Sequence, residues 1–162
     1  MDLKSNTFYY RIAQINIVSI FILMMLGSYV KAIGAGLACP DWPLCHDQII
    51  PVEYYGVAEA LVMAEFIHRV FALFVSLVLF VLFYLSYLHR NELGANDLKI
   101  GFKRYRLMMI ILLFLAIQVL FGGLTVLLKL EPSIVSIHLG VATFIFGASI
   151  FLLTWIDPNK SK

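Results

Sequence analysis

Long apolar runs separated by short polar stretches make up most of this sequence. Four runs, roughly 12–33, 60–88, 107–128 and 134–156, each hold about the 20 apolar residues that an α-helix needs to cross a bilayer. The pattern predicts an all-α membrane protein, a four-transmembrane-helix bundle forming one domain over residues 1–162. Lys4 and Arg11 precede the first run as they would in a signal peptide. That run is longer than an h-region of about 7–15 residues, and no clear small-residue cleavage site follows it, so it is expected to stay attached.

Between the runs, Lys and Arg predict sidedness. Lys4, Arg11, Arg90, Lys99, Lys103, Arg104, Arg106, Lys160 and Lys162 flank the N-terminus, the second connection and the C-terminus, whereas the other two connections have only Lys31 and Lys129. Both termini are therefore expected to be cytoplasmic, with a long extracellular loop over 34–59 in a multi-pass protein of the plasma membrane. Aromatic residues agree: Phe8, Tyr9, Tyr10, Tyr84, Tyr87, Tyr105 and Trp155 fall near the inner border, and Trp42, Tyr54 and Tyr55 near the outer one. The outer loop has no Lys or Arg and carries Asp41, Asp47, Glu53 and Glu59; Pro40, Pro43 and Pro51 rule out a continuous helix, so an ordered cap with a partly helical end is expected. The charged stretch 89–106 reads as a solvated connection without chemistry.

Composition sharpens this in two ways. At 62% hydrophobic and 14% charged residues, with a mean hydropathy of +0.92, the chain lies outside the soluble range. A net charge of +2, placed by topology instead of gathered in a patch, gives no reason to expect nucleic acid as a partner.

The second run is broken by Glu65-Phe66-Ile67-His68-Arg69. Charged side chains in hydrocarbon cost about 2.5–3.5 kcal/mol each on insertion scales, so such a cluster points to function. His68 and His138 both lie a few turns inside runs that enter from the same side, which places them at similar depth. Two opposed imidazoles in a bundle core can hold a haem iron; the alternative is that each bonds a neighbouring helix or water. Glu65 shares a helix face with His68, continued by Leu61, Ala72, Val75 and Leu79. It can move protons or stabilise charge beside a haem, or serve as a structural partner for His68 or Arg69. Arg69 can reach back to headgroups or, with Lys31, pair with haem propionates.

Cys39 and Cys45 lie close together in the outer loop. A disulfide suits that oxidising side; covalent haem attachment normally uses C-x-x-C-H, and a metal site from Cys39, Cys45 and His46 lacks a fourth ligand. His46 reads as a loop residue and His89 as an interfacial one. Gln118 and the run Gly122-Gly123-Leu124-Thr125-Val126 suit either a substrate pocket or close helix packing, as do Gly140 and Ala142 beside His138. The chain also shows two loosely similar halves, each a helix with a Gly-rich outer end followed by a helix bearing a His.

Together, Gly34-Ala35-Gly36-Leu37-Ala38-Cys39-Pro40-Asp41-Trp42-Pro43-Leu44-Cys45, Glu65-Phe66-Ile67-His68-Arg69, Gly122-Gly123-Leu124-Thr125-Val126 through Pro132, and His138 resemble the haem A synthase family over nearly the whole chain. The resemblance implies oxidation of a ring methyl of haem O, through an alcohol, to the formyl group of haem A, for terminal oxidases. It implies His68 and His138 as axial ligands, Glu65 as the acidic residue of the oxidation and Cys39 with Cys45 as the extracellular pair. Family members typically fuse two such bundles, one for substrate and one for a haem B cofactor, and this chain resembles the N-terminal, substrate-side half. A homodimer or higher homo-oligomer is the expected replacement for the fused pair. Expected partners are haem O, a haem O-forming farnesyltransferase, an electron-transfer protein and membrane lipid. Lys31 stands where the family often has Arg, which weakens a bidentate propionate contact.

Two rival functions use the same features. A bis-His b-type cytochrome would carry electrons without oxidising a substrate, which leaves Glu65 idle. A disulfide-generating oxidoreductase needs a second cysteine pair for relay, and the sequence has none.

Overall fold

A computed structural model describes residues 3–53, 58–88 and 95–155, with side chains in 7–53, 58–88 and 104–154. Tyr54, Tyr55, His89, Arg90, Lys160 and Lys162, and the side chains of Lys4, Lys99, Lys103 and Trp155, lie outside the described residues.

The apolar runs form four helices: α1 (Leu3–Ala32), α2 (Glu59–Leu88), α3 (Ala95–Leu127) and α4 (Pro132–Trp155). All four are long and apolar enough to cross a membrane. Large side chains such as Ile15, Val18, Phe21, Leu73, Leu77, Leu113, Leu120 and Phe151 remain exposed on the bundle's outside, the surface that lipid would cover. The main differences from the sequence reading are at the N-terminal ends of α1 and α3. Helix α3 takes in most of the basic stretch read as a connection, because Lys, Arg, Leu and Ala are good helix formers and a helix need not stop where the apolar run does.

Helix α1 contacts α2 and α4, and α3 contacts the same two helices, so α1 faces α3 and α2 faces α4 across the diagonals of the bundle. Its two hairpins are built alike. Helix α1 ends with Ala35 N–H donating to Val30 O (2.9 Å) and Gly34 N–H to Lys31 O (3.1 Å), with Gly34 at φ 74°. Helix α3 ends the same way, with Leu130 N–H to Thr125 O (2.7 Å) and Lys129 N–H to Val126 O (3.0 Å). Here a lysine at φ 53° takes the left-handed position that glycine fills in α1. Glu131 then starts α4: its carboxylate accepts the Ile134 N–H at 3.0 Å, and Pro132 occupies the first turn, where a missing N–H costs nothing.

Burial follows the same correspondence. Tyr9, Ala13, Asn16 and Ile20 are buried in α1, and Arg104, Met108, Ile111 and Leu115 are buried in α3 at the same spacing. Val75, Leu79 and Leu82 of α2 are matched by Ile145, Ser149 and Leu152 of α4. Most of these residues form the apolar core, in the half of the bundle away from the 33–58 loop. Tyr9 belongs to that core and not to an interfacial belt: its hydroxyl bonds Ser86 Oγ at 2.8 Å and its ring lies under the Arg104 guanidinium, 4.8 Å from the centroid.

The hairpins differ in their connections. Helices α3 and α4 are joined by a tight turn at 128–131, whereas α1 and α2 are joined by the 33–58 loop, which has no helix among its described residues. A turn at Cys45 and Gln48, with His46 and Asp47 at positive φ, gives the loop its shape. Asp41 spans the turn, its two carboxylate oxygens accepting the N–H of His46 (2.7 Å) and of Asp47 (2.8 Å).

Candidate functional site

The first five-residue motif divides between two clusters. Glu65 and Arg69 are one turn apart on α2 and face the loop. Arg69 Nη1 donates to Asp41 O (2.8 Å) and Leu44 O (2.6 Å), and Nη2 donates to Cys39 O (3.0 Å) and to Glu65 Oε1 (2.5 Å). Glu65, buried, accepts the Cys39 N–H on its other oxygen at 2.8 Å. Cys39 and Cys45 are joined in a disulfide. With Ala38 and Val62 they make a small buried cluster between loop and helix. The carbonyls of Cys39, Asp41 and Leu44 all lie within or at the edge of the disulfide ring, so the guanidinium fork fills that ring's open polar side.

Asp41 adds to this anchor. Burial alone would raise its carboxyl above the ordinary 3.8, but the N–H groups of Asp47 and His46 and the charge of Arg69 outweigh burial and hold it lower.

The loop also reaches the second hairpin. A Cβ on Gly123 of α3 would meet the Trp42 indole at 2.9 Å, and one on Gly36 would meet the Leu130 side chain at 3.2 Å. Trp42, expected at the outer border, thus lies against α3. Glycine at 123 is what lets the indole approach the helix backbone.

His68 and His138 form the second cluster. They sit on the diagonally opposed helices α2 and α4, within electrostatic reach of one another. Each ring has a glycine of the neighbouring helix behind it. A Cβ on Gly27 of α1 would come within 3.0 Å of His68 Cε1, and a Cβ on Gly122 of α3 within 3.3 Å of His138 Cε1. These glycines occupy matching places in the two hairpins, each seven residues before the left-handed residue that ends its helix, Gly34 or Lys129. Gly27 escaped the sequence reading; its spacing to Gly34, equal to that of Gly122 to Lys129, is the signal that finds it.

Nδ1 of each histidine is buried without a hydrogen-bond partner. Gln118 Nε2 lies 3.4 Å from His138 Nε2, and Gln118 Oε1 is buried and unpartnered. Orphaned buried groups of this kind carry a cost of about 1–3 kcal/mol each unless a ligand or water meets them. Two imidazoles on opposed helices, with side-chain bulk removed beside both, fit a planar haem. Among the described residues no three His, Cys, Asp or Glu side chains converge, so no cage for a bare metal ion is present there.

Thr125 bonds its own helix, Oγ1 to Gly122 O at 2.7 Å. Lys31 is exposed on the last turn of α1, where a cation complements the helix dipole. Among the described residues, no side chain or foreign backbone lies within 4 Å of a Cβ built at Gly140.

Comparison with known proteins adds a family and a set of relatives. The family profile COX15-CtaA, cytochrome oxidase assembly protein, matches residues 10–162. The chain is similar to proteins named heme A synthase: 27% identical over 169 residues to that of Wolbachia pipientis wMel, covering 100% of this chain and 43% of the relative. It is 30% identical over 132 residues to that of Symbiobacterium thermophilum, covering 82% and 39%. The chain thus spans about two fifths of the length of the curated relatives it matches. No solved structure matches it.

Proposed function

Because the chain belongs to the COX15-CtaA family of cytochrome oxidase assembly proteins, we propose that it is a haem A synthase, oxidising a ring methyl of haem O to the formyl group of haem A. The observation that carries this reading is the pair His68 and His138, opposed on α2 and α4, each ring packed against a glycine of the neighbouring helix. A haem held between them, haem O as substrate or haem B as cofactor, would bring the iron redox chemistry that oxidation of a methyl group requires.

The chain's own residues would bind, orient and shield. His68 and His138 would supply the two ligating nitrogens, and Gly27 and Gly122 let the neighbouring helix backbones pack against the rings and hold them in place. Glu65 and Arg69 tie the disulfide loop to α2, and Trp42 carries it onto α3, so that the loop caps the bundle end nearest the histidines and limits water there. In this reading Glu65 is a positioning residue, since both its oxygens are engaged by Cys39 N–H and Arg69. The direct catalytic role that the resemblance implies requires one oxygen to be released toward the ring. Arg69→Ala separates the two: it breaks the latch and frees one Glu65 carboxylate oxygen, so haem oxidation falls if Glu65 positions the loop and is retained if the carboxylate acts at the methyl.

The Lys and Arg pattern supports cytoplasmic termini, an outer loop and a plasma-membrane location. A second bundle, from another copy of this chain, would provide a second haem site; an active protein that stays monomeric in detergent rules this out. The decisive experiment is extraction of haem after expression with a haem O source. Haem A, or its alcohol precursor, sustains the proposal, whereas haem B and unchanged haem O alone identify an electron carrier.

A further inference from the structure

The two histidines are equivalent in the hairpin repeat, yet one position near them is not. Gln118 stands four residues before Gly122, and the residue four before Gly27 is Leu23. The Gln118 amide nitrogen, 3.4 Å from His138 Nε2, can only donate. With the amide in this orientation, His138 Nε2 accepts with its lone pair and the ring proton sits on Nδ1, the nitrogen on the Gly122 side. An iron would bind through that same Nε2 lone pair. It cannot serve the amide and a metal together. Leu23 offers His68 no such competitor, and no hydrogen bond to His68 is made among the described residues.

We infer that Gln118 makes the two haem ligands unequal: His68 is the permanent ligand and His138 a displaceable one, whose lone pair Gln118 takes whenever the iron does not hold it. This rests on the haem reading above. Its consequence is a bundle that can open one axial position without unfolding, because the released imidazole has a partner in place. A hydrogen bond of this kind shifts the balance between bound and released His138 by about 2- to 12-fold. Gln118 acts through His138 and is a positioning residue.

The test uses the full chain in detergent, loaded with haem B and followed by absorption, electron paramagnetic resonance and carbon monoxide titration of the ferrous form, which reads how easily one histidine is displaced. Gln118→Leu, which copies Leu23, is expected to weaken carbon monoxide binding about 2- to 12-fold and to lower any five-coordinate fraction. Leu23→Gln, which puts the amide at the equivalent place in the first hairpin, is expected to strengthen it. His138→Ala should keep five-coordinate haem, and His68→Ala should lose most of it. Wild-type carbon monoxide affinity in Gln118→Leu, or equal haem loss from the two histidine variants, overturns the inference while leaving the haem reading intact. A wild-type protein that binds no haem, or binds it with no histidine ligand, overturns both. If Gln118→Leu fails to fold, Leu23→Gln and the histidine pair still decide.

Discussion

Replacing Arg69 by Ala removes a guanidinium that bonds three loop carbonyls and Glu65 at once. A lipid-facing arginine that merely reached for headgroups would cost at most about 1 kcal/mol, as exposed ion pairs do. Here the side chains are 17% exposed for Arg69 and 5% for Glu65, so truncation strands a buried carboxylate and breaks a paired charge. Removing one partner of such a pair costs about 3–5 kcal/mol, and the partial exposure of Arg69 places the expected loss at the lower end, about 3 kcal/mol. The cost should fall partly on the loop and partly on the bundle. Hydrogen exchange at 38–48 measures the first quantity, and equilibrium unfolding in detergent and denaturant measures the second. A cycle with Glu65→Ala adds a check: the double variant should cost less than the two singles together by about 1 kcal/mol or more, since the second truncation removes a charge already unpaired. A loss under about 1 kcal/mol in Arg69→Ala, with the two substitutions additive, would refute the latch.

Three other outcomes follow from the same geometry. Gly27→Ala places a Cβ at 3.0 Å from the His68 ring and Gly122→Ala one at 3.3 Å from the His138 ring, so the haem absorption spectrum should change more for the first than for the second. Gly123→Ala should push Trp42 off α3, because its Cβ would lie 2.9 Å from the indole; indole fluorescence should shift to the red and loop exchange should quicken, and an unchanged spectrum would deny that contact. Asp41 has a folded-state pKa below its ordinary 3.8, so its stabilisation of the turn is present above that value and is lost as pH falls through the lower folded value. The amides of His46 and Asp47 should therefore exchange faster in acid than at neutral pH by more than intrinsic chemistry predicts, and Asp41→Asn should remove most of that difference.

Much of the fold could be read from one-dimensional patterning. Each apolar run is long enough to span a bilayer by itself, and hydrocarbon leaves the backbone no alternative to helix, so the number and type of elements followed without knowledge of contacts. His68 and His138 stood out for the same reason, since polar groups in such runs are costly. Helix ends were less legible. Continuation of α3 into 95–106 depends on propensity and tertiary support, which a hydropathy pattern does not weigh.

What only the tertiary structure decided is which partner each polar group takes. Sequence spacing puts Glu65, His68 and Arg69 on one or adjacent faces of a helix, and every pairing among them, the lipid and a ligand satisfied that spacing equally. The 33–58 loop settles the matter by folding back, so that its carbonyls reach Arg69 and its Cys39 N–H reaches Glu65, contacts between residues 25 to 30 apart in the chain. The same applies to Gly27, an ordinary glycine in sequence that becomes part of the site when α1 lies against the His68 ring, and to Gln118, whose amide meets His138 across two helices. Hydropathy is a property of a segment, and the sequence alone determined the segments. A hydrogen bond is a property of two positions in space, and those positions exist only after the helices have packed.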